Sequence, residues 1–240
     1  MPTIVRDLAG PRINKVERSF LCPVLLTWLT LLTFSVPPVG RGDKEKDDQT
    51  LRNAATVLQA MLHDNNVPPG VLAKATCVIV LPDVKKFSFG VGGSGSRGPV
   101  SCRTGKDFAG HWSAPAMYTV GCITVGLQLG GSSSDYVFLI MDQKAVDALL
   151  NGKTKLGNEA TAGWCTATGT TGSDILTYRR AQGLFAGVSM GGASLEPDTD
   201  ANKRLYGKDV IARDILIGVV PPPPAGRNFV SLLNSEGFGG

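Results

Sequence analysis

Gly187-Val188-Ser189-Met190-Gly191 has the residue types and spacing of a nucleophile elbow, in which two glycines let a strand turn sharply and hold a serine hydroxyl at the apex. Such a Ser189 would make the chain a serine hydrolase. Its hydroxyl must then give a proton to a histidine that, in hydrolases of this design, follows the serine in the chain. The two histidines, His63 and His111, both precede Ser189. The elbow also needs a helix after the serine, yet Gly191 to Asp198 holds two adjacent glycines, a proline and no apolar stripe. The sequence therefore predicts a buried strand over Leu184–Ser189 whose glycines permit close packing, and no enzyme. Hydrolysis at Ser189 is kept as a minor alternative.

Other short motifs fail on their surroundings in the same way. Gly93-Ser94-Gly95-Ser96-Arg97-Gly98 has the spacing of a dinucleotide fingerprint, but Pro99 to Arg103 after it reads as strand, and pyrophosphate needs a helix N-terminus there. A glycine-rich hairpin is expected instead. Asn151-Gly152-Lys153-Thr154 resembles the end of a phosphate loop, with Asp147 where the earlier glycine would stand. No C-x-x-C pair occurs and neither histidine lies at ligand spacing from a cysteine, so neither a metal nor a cofactor is predicted.

The remaining chemistry is electrostatic. Lys85 and Lys86, with Arg97 and Arg103 nearby in sequence, are expected to form a basic rim at one end of a hairpin, and Trp112 could supply apolar insertion beside it. Four cations at an anionic membrane contribute about 4 kcal/mol, which is only millimolar binding. The apolar part is therefore essential to any lipid-binding reading. The formal charge of +4 over 240 residues carries no clustered basic stripe of the kind that displaces counterions from nucleic acid.

Positioning these residues requires a sizeable core, which 42% hydrophobic content supplies, and many tight turns, which 30 glycines supply. Phe20–Val36 is an uncharged apolar run of 17 residues preceded by Arg6, Arg12, Lys15 and Arg18. Residues 1–40 are expected to be a signal peptide or an N-terminal anchor, placing the protein in the periplasm or cell envelope. Residues 41–49, RGDKEKDDQ, are expected to be a charged connector with no reason to pack. Export leaves Cys77, Cys102, Cys122 and Cys165 where disulfides can persist, with three full pairings open and free buried thiols as the alternative.

From Thr50 to Leu62 apolar residues recur at helical spacing. The predicted strands are Cys77–Leu81, Phe87–Val91, Val100–Arg103, Met117–Val120, Ile123–Leu129, Tyr136–Met141, Gly163–Ala167 and Ile175–Tyr178, besides the one before Ser189. Helices are predicted at Val71–Ala75, Gln143–Leu150 and Arg227–Leu233, while Asp209–Ile217 is ambiguous between helix and strand. The fold class is α+β: a glycine-rich, mainly antiparallel sheet or barrel-like core framed by a few helices.

These segments, taken together, resemble the SYLF domain family. The matching stretches include Val78-Ile79-Val80-Leu81-Pro82, Gly90-Val91-Gly92-Gly93, His111-Trp112-Ser113-Ala114-Pro115-Ala116 and Val125-Gly126-Leu127-Gln128-Leu129-Gly130. They continue through Ser134-Asp135-Tyr136-Val137-Phe138-Leu139, Lys155-Leu156-Gly157 and Gly183 to Ser189, in order, within a domain spanning residues 50–236. The resemblance implies a non-enzymatic, membrane-associated binding domain: animal members bind phosphoinositides and a fungal branch binds actin. Here the helix before Pro68 lacks the basic character of the animal members, and Arg179-Arg180-Ala181-Gln182 departs from the usual serine-containing sequence. With the leader, exported bacterial members are the closer comparison. The expected partner is anionic membrane lipid at Lys85, Lys86, Arg97, Arg103 and Trp112, with an envelope protein as the alternative partner.

Overall fold

The computed structural model describes residues 39–64, 67–85, 91–125, 133–152, 154–156, 175–181, 183–188 and 193–235. The chain opens with α1 (Val39–Leu62) and the short α2 (Pro69–Ala73), then β1 (Cys77–Lys85), β2 (Val91–Cys102), β3 (Ala116–Val125) and β4 (Ser133–Ile140). Helix α3 (Gln143–Leu150) leads to β5 (Thr154–Leu156), β6 (Ile175–Ala181), β7 (Leu184–Val188) and β8 (Ala193–Pro197). Three helices close the chain: α4 (Thr199–Tyr206), α5 (Ala212–Leu216) and α6 (Arg227–Leu233).

The eight strands form one sheet in the order β5-β8-β3-β2-β1-β4-β6-β7, every pairing antiparallel. The α+β expectation holds, as an open sheet rather than a barrel: among the described residues no pairing joins β5 to β7. Strand alternation sends Val78, Val80, Val137 and Leu139 to one face, where they pack with Leu58 and Met61 of α1 and Phe229 and Leu233 of α6. Ile79, Leu81, Phe138 and Ile140 point to the other, against Val146 and Leu149 of α3 and Ile215 and Leu216 of α5. The central strands are thus apolar on both faces because helices cover both.

Several boundaries differ from expectation. The charged stretch 41–49 is the first part of α1 rather than a connector, and Asp47 within it is completely buried. Gly93–Gly98 lies inside β2, paired residue for residue with Ile123 to Tyr118, so it is a strand arm and not a hairpin turn. Glycine is required at position 98, where a Cβ would stand 1.9 Å from the backbone oxygen of Val80. The two strands predicted over 117–129 form the single β3 as far as Val125, and 209–217 resolves into α5. The strand before Ser189 is present to Val188, but Leu184 is 63% exposed because β7 lies at the sheet edge. Ser189, the predicted strand Gly163–Ala167 and the apolar run 20–36 lie outside the described residues.

Of the open cysteine pairings, one is made. Cys77 and Cys102 sit opposite each other on β1 and β2 and are joined by a disulfide, both completely buried. Cys122 is placed on β3 opposite Ser94 and Ala193, and Cys165 is outside the described residues.

Candidate functional site

Of the five residues expected to touch lipid, the four that are described, Lys85, Arg97, Arg103 and Trp112, do not come together as one site. Lys85 ends β1 opposite Ser133, and Lys86 lies outside the described residues. Arg97 lies within β2 and Arg103 just after it, and six residues of extended chain separate them by about 20 Å. Each is also drawn inward by a partner that the local sequence does not reveal.

Arg97 belongs to a charged cluster under the N-terminal half of α1. Its Nη2 donates to Asp47 Oδ1, and its Nη1 lies 3.5 Å from Asp198 Oδ2. Arg204 on α4 donates from Nε to Asp47 Oδ2 at 2.6 Å. The hydrogen bond to Asp47 raises the Arg204 pKa above its ordinary value, with burial acting the other way. Asp198 also caps α4, its Oδ1 accepting from the Ala201 amide at 3.0 Å. One buried carboxylate thus holds two guanidinium groups, fastening α1, β2 and α4 to one another. Next to it, the buried Asn202 side chain accepts from the Met117 amide at 2.7 Å and donates to the Met117 carbonyl at 3.1 Å, extending the β3 ladder where β8 ends.

Arg103 and Trp112 meet at the opposite end of β2. They form a β-bridge, and the guanidinium lies over the indole 4.9 Å from its centre. Arg103 Nε donates to Ala75 O at 3.2 Å and Nη2 to Ala73 O at 3.3 Å, so the side chain also ties off the end of α2. Burial lowers its pKa from the ordinary arginine value. Trp112 is only 5% exposed and packs with the α1 and α6 core.

Among the described residues the large apolar side chains that face solvent lie elsewhere: Leu184, Ile211, Ile217 and Val219. The last three flank α5, whose inward residues Ala212, Ile215 and Leu216 are buried. Sequence reasoning missed them because 209–217 is ambiguous between helix and strand, so neither period assigns an outward face. It missed Asp47 because a charged run reads as solvated.

Among the described residues no group of three or more His, Cys, Asp or Glu side chains is placed to hold a metal ion, and no helix is long and apolar enough to cross a membrane. His63 and His111 are both exposed.

Comparison with known proteins adds a family. Residues 121–236 match the family Ysc84, described as "Las17-binding protein actin regulator". The chain is 30% identical over 213 residues to the SH3 domain-containing YSC84-like protein 1 of Rattus norvegicus, covering 83% of this chain and 60% of that protein. It is 29% identical over 215 residues to Protein YSC84 of Saccharomyces cerevisiae, covering 85% and 45%. A Schizosaccharomyces pombe SH3 domain-containing protein is 32% identical over 215 residues, covering 85% and 49%. The chain therefore spans between 45% and 60% of the length of these relatives.

Proposed function

Because the chain belongs to the Ysc84, or SYLF, family, we propose that it is a non-catalytic binding domain whose ligand is an anionic lipid surface met after export to the cell envelope. The observation that carries this reading is the group of exposed large apolar side chains Ile211, Ile217 and Val219, which fall together on one stretch among the described residues. Charge alone is too weak. With Arg97 and Arg103 engaged inside the fold, Lys85 and Lys86 contribute about 2 kcal/mol at an anionic membrane. Burying three partly exposed Ile or Val side chains would contribute about 4 kcal/mol, but they sit by Thr104 at the Cys77–Cys102 end of the sheet while Lys85 ends β1 at the other, so the two contributions belong to separate contacts. The Cys77–Cys102 disulfide supports the export part of the proposal, since such bonds persist in oxidising compartments.

Vesicle flotation tests the reading. The chain should float with vesicles containing phosphatidylglycerol and much less with pure phosphatidylcholine, and Lys85→Glu with Lys86→Glu should reduce the bound fraction. Equal recovery with both lipids would reject the anionic preference, and no flotation would reject lipid binding.

A second reading, a protein-interaction module, is favoured by the family's description as an actin regulator. Cosedimentation with actin filaments, or one recurrent protein adduct on crosslinking in cells, combined with no vesicle binding, would establish it over the first.

A further inference from the structure

We propose that the proline run 221–224, with Arg227, is a docking ridge for a partner protein whose groove is lined with aromatic rings and ends in a carboxylate, the kind of groove SH3 domains present. The proposal goes beyond lipid binding and does not depend on it. Pro221, Pro222 and Pro223 each precede another proline, whose ring excludes the helical region and leaves polyproline II as the backbone open to all three. Pro223 has φ −65° and ψ 158°, the values of that helix. Polyproline II turns once in about three residues, and the 3₁₀ turn Pro224–Gly226 that follows keeps the same period. Burial follows that period. Val220, Pro223 and Gly226 are buried, Pro222 and Ala225 half-buried, and Pro221 and Pro224 exposed. The inner edge is seated on the domain: Val220 joins the core of the sheet, and a Cβ on Gly226 would stand 2.7 Å from Pro115 Cγ. Ala225 packs beside Leu51 and Met117. The outer edge is left as a straight ridge that continues, at the same spacing, to the exposed Arg227 at the start of α6.

Shape and charge select the occupant. Pro221 and Pro224 share one edge at P-x-x-P spacing, so their rings enter neighbouring clefts between the aromatic side chains of such a groove. The fold already holds the run in the bound conformation, so docking orders no further chain. Arg227 fixes the direction. Its guanidinium makes none of the ion pairs found among the described residues, which leaves its donors to a carboxylate at the end of the groove.

The test titrates the full chain, in buffer without lipid, into a panel of isotope-labelled SH3 domains whose grooves carry the end carboxylate. At least one should show shifts of its groove aromatic resonances, reversed by a synthetic P-x-x-P peptide. Pro221→Ala with Pro224→Ala should weaken that binding about tenfold or more at an unchanged far-UV circular dichroism spectrum. Arg227→Glu, which reverses an exposed charge and touches no packing, should weaken it about tenfold, while Arg227→Lys keeps most of it. Lys208→Glu, an exposed charge off the ridge, should leave it within about twofold. Silence across the panel would overturn the proposal, as would a domain that binds the double proline variant as well as the parent. Binding that needs the prolines but ignores Arg227→Glu would overturn the assignment of a groove ending in a carboxylate. Vesicle flotation of the same variants should match the parent, so lipid binding stands or falls apart from this result.

Discussion

Asp47 and Arg204 form a 2.6 Å ion pair across 157 residues of chain, with the carboxylate fully removed from solvent. Arg97 holds the second oxygen of the same carboxylate. A buried ion pair adds little net stability over an apolar replacement of all its members, but removing one member strands the others. Asp47→Asn leaves two guanidinium groups facing a neutral amide. It should cost about 3–5 kcal/mol, read as a fall in the urea midpoint at unchanged slope. The exposed Asp43–Lys46 pair on the same helix is the control: Asp43→Asn should leave the midpoint where it is. Equal midpoints for Asp47→Asn and the parent would show that the cluster does not fasten α1.

Trp112 carries a prediction opposite to its sequence-level role. With 5% of its surface exposed beneath Arg103, its emission should already be that of a buried indole in buffer. In a background of Trp28→Phe and Trp164→Phe, adding anionic vesicles should leave that emission unmoved. Arg103→Ala should shift it to longer wavelength by opening the face of the ring. A vesicle-dependent shift of Trp112 would return it to the lipid contact.

Legibility followed range of interaction. The buried face Leu51, Ala54, Ala55, Leu58 and Met61 is a local period, and α3 stops at Leu150 before Asn151-Gly152 as its C-terminal signal requires. Strand β8 escaped notice because Ser194 and Glu196 are exposed and Leu195 alone is buried, so a single apolar residue carries the alternation. Helix α4 offers only Ala201 and Leu205 inward, besides the polar Asn202. The candidate site was less legible still. Whether Arg97 meets lipid or a carboxylate is decided by Asp47, 50 residues away in sequence, and no window of sequence holds both. The exposure of Ile217 and Val219 likewise depends on a turn seated on Thr104.

All four tyrosines, Tyr118, Tyr136, Tyr178 and Tyr206, have pKa values raised above the ordinary phenol value by burial, Tyr118 and Tyr206 most strongly. Beside Tyr136, Arg179 offsets part of that rise. The folded state therefore favours the neutral phenol. Its contribution to stability is complete below the unfolded pKa of about 10 and is lost as pH climbs through the raised folded values. Tyrosinate absorbance should stay low past about pH 10 and then rise together with loss of circular dichroism. Independent titration of all four groups near pH 10, with the fold intact, would contradict the burial that causes the shifts.

The Cys77–Cys102 disulfide closes a sequence separation of 25 residues in the middle of the sheet. Loop-closure entropy assigns it about 3.5 kcal/mol, so Cys77→Ala with Cys102→Ala should lower unfolding stability by roughly that amount. Because both residues are completely buried, reduction of the native protein should proceed no faster than unfolding exposes them. Mass mapping without reductant should recover the two cysteines as one linked peptide pair. Free alkylation of both in protein taken directly from cells would remove the support for export.

Gly98 separates steric from conformational need for glycine. A Cβ at this position would meet Val80 O at 1.9 Å, and both partners are backbone within adjoining strands, so neither can rotate away. Gly98→Ala must push β2 off β1 just where Pro99 and Val100 enter the core, at a cost of about 3 kcal/mol or more. Gly152 offers the contrast. It has φ +92° with nothing within 4 Å of a Cβ, so Gly152→Ala pays only the left-handed backbone penalty of about 1–2 kcal/mol. Gly70, in the first turn of α2 and also in open space, should accept alanine with no loss or a gain of about 0.5 kcal/mol. The three denaturation midpoints should therefore fall in the order Gly70→Ala above Gly152→Ala above Gly98→Ala. If Gly98→Ala unfolded at the parental midpoint, β1 and β2 would have to lie further apart at this crossing than Val80 and Gly98 are placed.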